Sequence, residues 1–122
     1  PIIAEANKKG LESISSEMRD LSTRAKLNRL NPEEFQGGSF CISNLGMYGI
    51  KQFDAIINPP QGAILAVGAG EQRAVVKNGA LSVATVISLT LSSDHRIIDG
   101  AVAAQFMSVL KGFLEQPATM LV

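Results

Sequence analysis

Asn78-Gly79 constrains this chain more than any other dipeptide. A type I′ turn needs positive φ at both central residues, which asparagine and glycine adopt at little cost, and its twist suits the strands it joins. Strand-like runs flank it, Arg73 to Lys77 before and Ala80 to about Ser92 after. The spacing predicts a β-hairpin with a long second strand. Ile87, Leu89 and Leu91 would share one face of that strand, and Ser88, Thr90 and Ser92 the other. One side is then buried while the second offers hydroxyls.

The remaining elements follow from period and punctuation. Residues 2 to about 30 read as a helix, because Leu11, Ile14, Met18, Leu21 and Ala25 recur at helical spacing. Gly10 weakens it, and Asn31-Pro32 ends it, since a residue before proline is pushed out of the α region. Glu33 to Gly38 is a loop. Ser39 to Ser43 is a short strand, with Phe40 and Ile42 on one face and Cys41 and Ser43 on the other. Residues 44–62 have no clean period. An irregular segment of that length with so many apolar side chains points to binding, or to cover by a ligand or partner subunit. Gly62 to Val67 reads as a buried strand. Gly100 to Leu114 is an amphipathic helix with Asp99 as its N-cap and Pro117 beyond its end. The sum is an α/β fold, a two-layer sandwich of helices on a mixed, largely antiparallel sheet.

Composition narrows the function. The 122 residues suffice for one modest core. Lysine plus arginine equals aspartate plus glutamate at 11 each, so no nucleic-acid footprint is expected. No apolar run approaches the roughly 20 residues that span a bilayer, so no membrane partner is expected. The chain opens on Pro1 inside a helix-like stretch, which predicts a piece of something longer. One cysteine, Cys41, excludes an internal disulfide and fits a reducing compartment. With a single histidine beside it, no metal site is expected.

The single histidine, His95, lies in Asp94-His95-Arg96-Ile97-Ile98-Asp99-Gly100, at a strand-to-helix corner. Histidine's ordinary pKa lies closest to neutral pH, which suits it to proton transfer. His95 is either a core residue bracing the corner or a general base toward a thiol or hydroxyl. Ser43 either bonds its own backbone or serves as oxyanion donor or nucleophile. Cys41, on the same strand face, is a rival nucleophile or a small buried hydrophobe. Asp99 caps the last helix, and it also has the position to fix Arg96 or the corner around His95. Arg96, flanked by two aspartates, pairs with one of them. Gly68-Ala69-Gly70 lacks the spacing and the following helix of a phosphate loop.

These residues carry a resemblance. Asp94 to Gly100 is similar to the D-H-R-x-x-D-G signature of the dihydrolipoyl acyltransferases, the core subunits of 2-oxo acid dehydrogenase complexes. Three further stretches match in order: Phe35-Gln36-Gly37-Gly38-Ser39-Phe40 with Ile42-Ser43-Asn44-Leu45-Gly46-Met47-Tyr48-Gly49, then Ile56-Ile57-Asn58-Pro59-Pro60-Gln61, then Ala63-Ile64-Leu65-Ala66-Val67-Gly68. The Ser-Asn-Leu-Gly-Met and Asn-Pro-Pro-Gln forms resemble the pyruvate dehydrogenase branch.

The resemblance implies a chloramphenicol acetyltransferase-like fold and an enzyme that moves an acetyl group between dihydrolipoamide and coenzyme A. The lipoyl group rides on a separate domain absent from this sequence, and acetyl-coenzyme A is the other substrate. His95 matches the family's catalytic base, Ser43 its oxyanion donor and Asp99 its supporting aspartate. Contacts to coenzyme A are not assigned. The implied partners are two further copies in a homotrimer that builds larger cores, the lipoyl domain, and the decarboxylase and dihydrolipoamide dehydrogenase subunits. The implied location is the bacterial cytoplasm or, in a eukaryote, the mitochondrial matrix. Residues 1–122 match the C-terminal half of the catalytic domain, without the lipoyl and subunit-binding domains. In the family the histidine and serine walls come from different chains, so the isolated piece is expected to be inactive. The alternatives are a succinyl or branched-chain acyltransferase of a sister complex and a catalytically silent core subunit.

Overall fold

The computed structural model describes residues 1–121, which divide after Ser39 into two compact units. In the first, a short 3-10 turn at Ala6–Lys8 precedes helix α1, Leu11–Lys26. The helix covers the apolar stripe from Leu11 to Ala25 but is shorter at both ends than the expected span of 2 to about 30. Gly10 takes an extended conformation and becomes the N-cap. At the other end Asn28 adopts φ 54°, its amide donating to Ala25 O at 3.0 Å and that of Arg29 to Arg24 O at 2.8 Å. That is a Schellman stop with asparagine in the left-handed position. Asn31 therefore does not end α1. It opens a second 3-10 turn, Pro32–Glu34, where its amide donates to the Glu34 carboxylate at 2.8 Å.

Arg24 ties these pieces together. Its guanidinium meets Glu34 through two bonds of 2.7 Å, and its Nε reaches Asp20 at 3.0 Å. The guanidinium and then the Asn31 amide lower the Glu34 pKa to about 2. The paired form is therefore favoured above the usual carboxylate range, and its contribution fades as pH falls toward 2.

In the second unit, strands β1 (Phe40–Asn44), β2 (Ala63–Val67) and β5 (Leu89–Ser93) form one sheet in the order β1-β2-β5. Strand β2 is central and holds most of the core: Ala63, Ile64, Leu65 and Ala66 are all buried. An unbroken apolar run suits a strand covered on both faces. β1 and β2 run parallel, whereas β2 and β5 run antiparallel. The parallel pair gives the irregular segment a structural reason, because such strands need a connection of about a dozen residues or more. Here the crossover carries only a 3-10 turn, Gly46–Tyr48. Its side chains Met47, Tyr48 and Ile56 are exposed.

Strands β3 (Glu71–Lys77) and β4 (Ala80–Val86) form the expected hairpin, with φ 51° at Asn78 and 78° at Gly79. The long strand expected from Ala80 to Ser92 does not form. The chain leaves β3 after Val86 and pairs with β2 from Leu89, so Ile87 and Ser88 mark a change of sheet. The sheet is mixed and largely antiparallel as expected, but split in two.

One glycine is fixed by close approach rather than by a turn. A Cβ at Gly68 would overlap the Lys51 carbonyl oxygen, while Ala69 donates to Ile50 O at 2.7 Å and Gly68 to Ser88 O at 3.0 Å. Gly68→Ala is expected to destabilise the protein by about 1–3 kcal/mol, as overpacking against backbone does. Urea unfolding of the full-length protein measures it, and an unchanged midpoint would contradict the packing.

Candidate active site

Two ends of the central sheet carry the candidate residues. At one end β5 stops at Ser93 and Asp94 organises the corner. Its amide donates to Gly62 O at 2.8 Å, and its carbonyl accepts from Ile97 at 3.0 Å and Ile98 at 2.9 Å. Its carboxylate accepts from the Arg96 amide at 3.0 Å, from Nε at 3.0 Å and from Nη2 at 2.8 Å. These bonds to Arg96 lower the Asp94 pKa to about 2, so the clamp stays charged at neutral pH and is lost only as pH falls toward that value. His95 sits at the apex of this turn and is exposed. It is not a core histidine. Its strand alternation does not continue from Leu91 either, because the turn begins at the residue before it.

Asp99 begins helix α2, Gly100–Glu115, and its side chain accepts from the Val102 amide at 2.8 Å. The cap reading holds. The reading of Asp99 as the partner of Arg96 does not, since that guanidinium bonds Asp94, which also takes the Arg96 amide. Asp99→Ala is expected to cost about 1 kcal/mol in unfolding free energy and Asp99→Asn only a few tenths, because either oxygen caps the helix. Equal losses in chemical denaturation would show that the charge, not the cap, matters.

At the other end Ser43 is the fourth residue of β1. The register pairs Ser43 with Ala66 and Ala66 with Thr90, whereas Phe40, Ala63 and Ser93 form the opposite row. Phe40 meets Phe106 of α2 with ring centroids 5.8 Å apart. By alternation Ser43, Cys41, Thr90 and Ser92 share the other face of the sheet. Of the expected hydroxyl row, Thr90 and Ser92 are in β5, while Ser88 precedes it. Neither Ser43 nor His95 has a side-chain hydrogen bond among the described residues.

The same register separates the two residues. Two strand spacings across and three residues along put the Cα atoms of Ser43 and Ser93 roughly 14 Å apart, and His95 lies further on. One copy of the chain therefore does not bring the imidazole to the hydroxyl. Sequence spacing gave no hint of this, since register depends on long-range pairing.

The comparisons with known proteins meet this geometry. The family described as 2-oxoacid dehydrogenases acyltransferase (catalytic domain) matches residues 1–122. The chain belongs to this family. A relative from Rickettsia felis, the dihydrolipoyllysine-residue acetyltransferase component of the pyruvate dehydrogenase complex, is 57% identical over 122 residues, which is 100% of this chain and 30% of the relative. The dihydrolipoamide acetyltransferase of Azotobacter vinelandii superposes with a TM-score of 0.94 at 34% identity, over 100% of this chain and 50% of that one. The cubic core of a pyruvate dehydrogenase multienzyme complex gives the same TM-score, identity and coverage. The chain thus has the chloramphenicol acetyltransferase-like fold, and it spans under a third of its curated relative and half of each solved chain. In the Azotobacter enzyme a serine, a histidine 52 residues later and an asparagine four beyond that have been investigated for their role in the catalytic mechanism.

Proposed function

We propose that this chain is the C-terminal half of an acyltransferase catalytic domain that moves an acetyl group between dihydrolipoamide and coenzyme A in a pyruvate dehydrogenase complex. One observation carries the reading. Ser43, His95 and Asp99 repeat both intervals of the serine, histidine and asparagine studied in the Azotobacter enzyme. Asp99 replaces the asparagine, and both residue types cap helices, so the shared role is compatible with setting the start of α2 beside the corner.

The chemistry follows from the side chains. The His95 imidazole takes the proton of the incoming thiol, and the thiolate attacks the thioester carbonyl carbon. The carbonyl electron pair moves onto oxygen, where the Ser43 hydroxyl donates to the developing charge. When the tetrahedral species collapses, the carbon–sulfur bond to the old thiol breaks and that sulfur takes the proton back from His95. No acyl-enzyme forms, so Cys41 has no covalent part.

The separation of Ser43 from His95 within one chain supports a site assembled from two copies, as in a trimer that builds a larger core. The lipoyl domain would deliver one thiol, with decarboxylase and dihydrolipoamide dehydrogenase subunits acting before and after. The compartment is the cytoplasm in a bacterium and the matrix in a mitochondrion.

The test is acetyl transfer from acetyl-coenzyme A to dihydrolipoamide by the full-length protein, followed by release of coenzyme A thiol. Turnover is expected with acetyl, and much less with succinyl or branched-chain thioesters. The dilute 122-residue chain is expected to give none. A full-length protein that assembles but transfers no acetyl group would overturn the reading.

A further inference from the structure

Ser43 is the penultimate residue of an edge strand, and such an end frays unless something holds the chain that follows. Here the Asn44 Oδ1 accepts from the Gly46 amide at 2.9 Å, folding the backbone directly after Ser43. Leu45 then donates to Val67 O at 3.2 Å. The folded turn lies against the end of β2 so closely that a Cβ at Gly46 would come within 3.0 Å of Gly68 O and 3.2 Å of Ala69 Cα. Beyond the turn, Ile50 and Lys51 are locked against Gly68 and Ala69, as described above.

Resting on the reading of Ser43 as oxyanion donor, we propose that Asn44 is a positioning residue for the Ser43 hydroxyl. Its carboxamide closes the turn one peptide from Ser43, and the Gly68-Ala69 backbone is the fixed wall that the turn abuts. Loss of the Oδ1 acceptor frees the Gly46 amide and lets the end of β1 rotate. A hydroxyl misplaced by about 1 Å can cost a hundredfold in rate without touching binding. The carboxamide itself touches no reacting atom.

The experiment is a double-mutant cycle in the full-length assembled protein, reading kcat and KM for acetyl transfer. Asn44→Ala is expected to lower kcat about tenfold or more with KM unchanged. Asn44→Asp keeps the acceptor and stays within about threefold of wild type. In a Ser43→Ala background, Asn44→Ala is expected to cost nothing further. The proposal fails if Asn44→Ala leaves kcat intact, or if it multiplies the loss in the Ser43→Ala background by its own full factor. Should Asn44→Ala not assemble, Asn44→Ser serves, because its hydroxyl bonds the same amide more weakly. Its kcat is expected about threefold or more below wild type, and a wild-type value overturns the proposal. A Ser43→Ala variant with undiminished kcat would instead overturn the oxyanion reading, which separates the two failures.

Discussion

With His95 as the proposed general base, His95→Ala in the full-length protein is expected to lower kcat for acetyl transfer by about 10²–10⁴, the range such a base supplies. The imidazole sits on an exposed turn, so its removal leaves the fold within about 0.5 kcal/mol of wild type. KM for either thiol substrate should hardly change, because the proton moves only in the transition state. The neighbouring Asp94 does not take its place, since the bonds from Arg96 lower its pKa to about 2 and keep the carboxylate charged and paired. Unchanged turnover in the variant would favour a silent core subunit.

Mixing is expected to rescue what single substitution removes. Ser43→Ala alone should lower kcat by about 10²–10³, the usual cost of one oxyanion donor. If each site takes its serine from one copy and its histidine from another, an equal mixture of Ser43→Ala and His95→Ala chains, unfolded and reassembled together, contains some sites with both residues intact. With random assembly about a quarter of the sites are whole, so turnover should rise to about a quarter of wild type, far above either parent. A mixture no more active than the mean of its parents would mean that both residues come from one chain. The roughly 14 Å between the Cα atoms of Ser43 and Ser93 would then have to close by rearrangement within a single copy.

Local chemistry was legible in the residues, and distant pairing was not. Asn78-Gly79 announced its turn, the run Ala63 to Val67 announced a covered strand, and Asp99 announced a cap, because each signal is contained in a few neighbours. The stripe from Leu11 to Ala25 marks α1 correctly, but the expected span runs too far at both ends, where Gly10 and Asn28 stop the helix by their own backbone preferences. The alternation of Ala80 to Ser92 ran on through a change of sheet, since strands of both sheets have the same period of two. Arg96 had an aspartate on either side in sequence, and only the turn at 94–97 chose between them. At the candidate site, His95 and Ser43 were singled out through a resemblance. Their placement at opposite ends of the sheet could not, because it depends on which strand lies in the middle and in which direction each one runs.

Among the described residues strand β1 borders its sheet, with β2 on one side only. An open border of amides and carbonyls is a template on which another polypeptide can add itself, the first step toward fibrils. The residue proposed to steady the oxyanion stands on that border. Lengthening or flattening these five residues would make that template better, so variants made at Ser43 need solubility measured beside turnover.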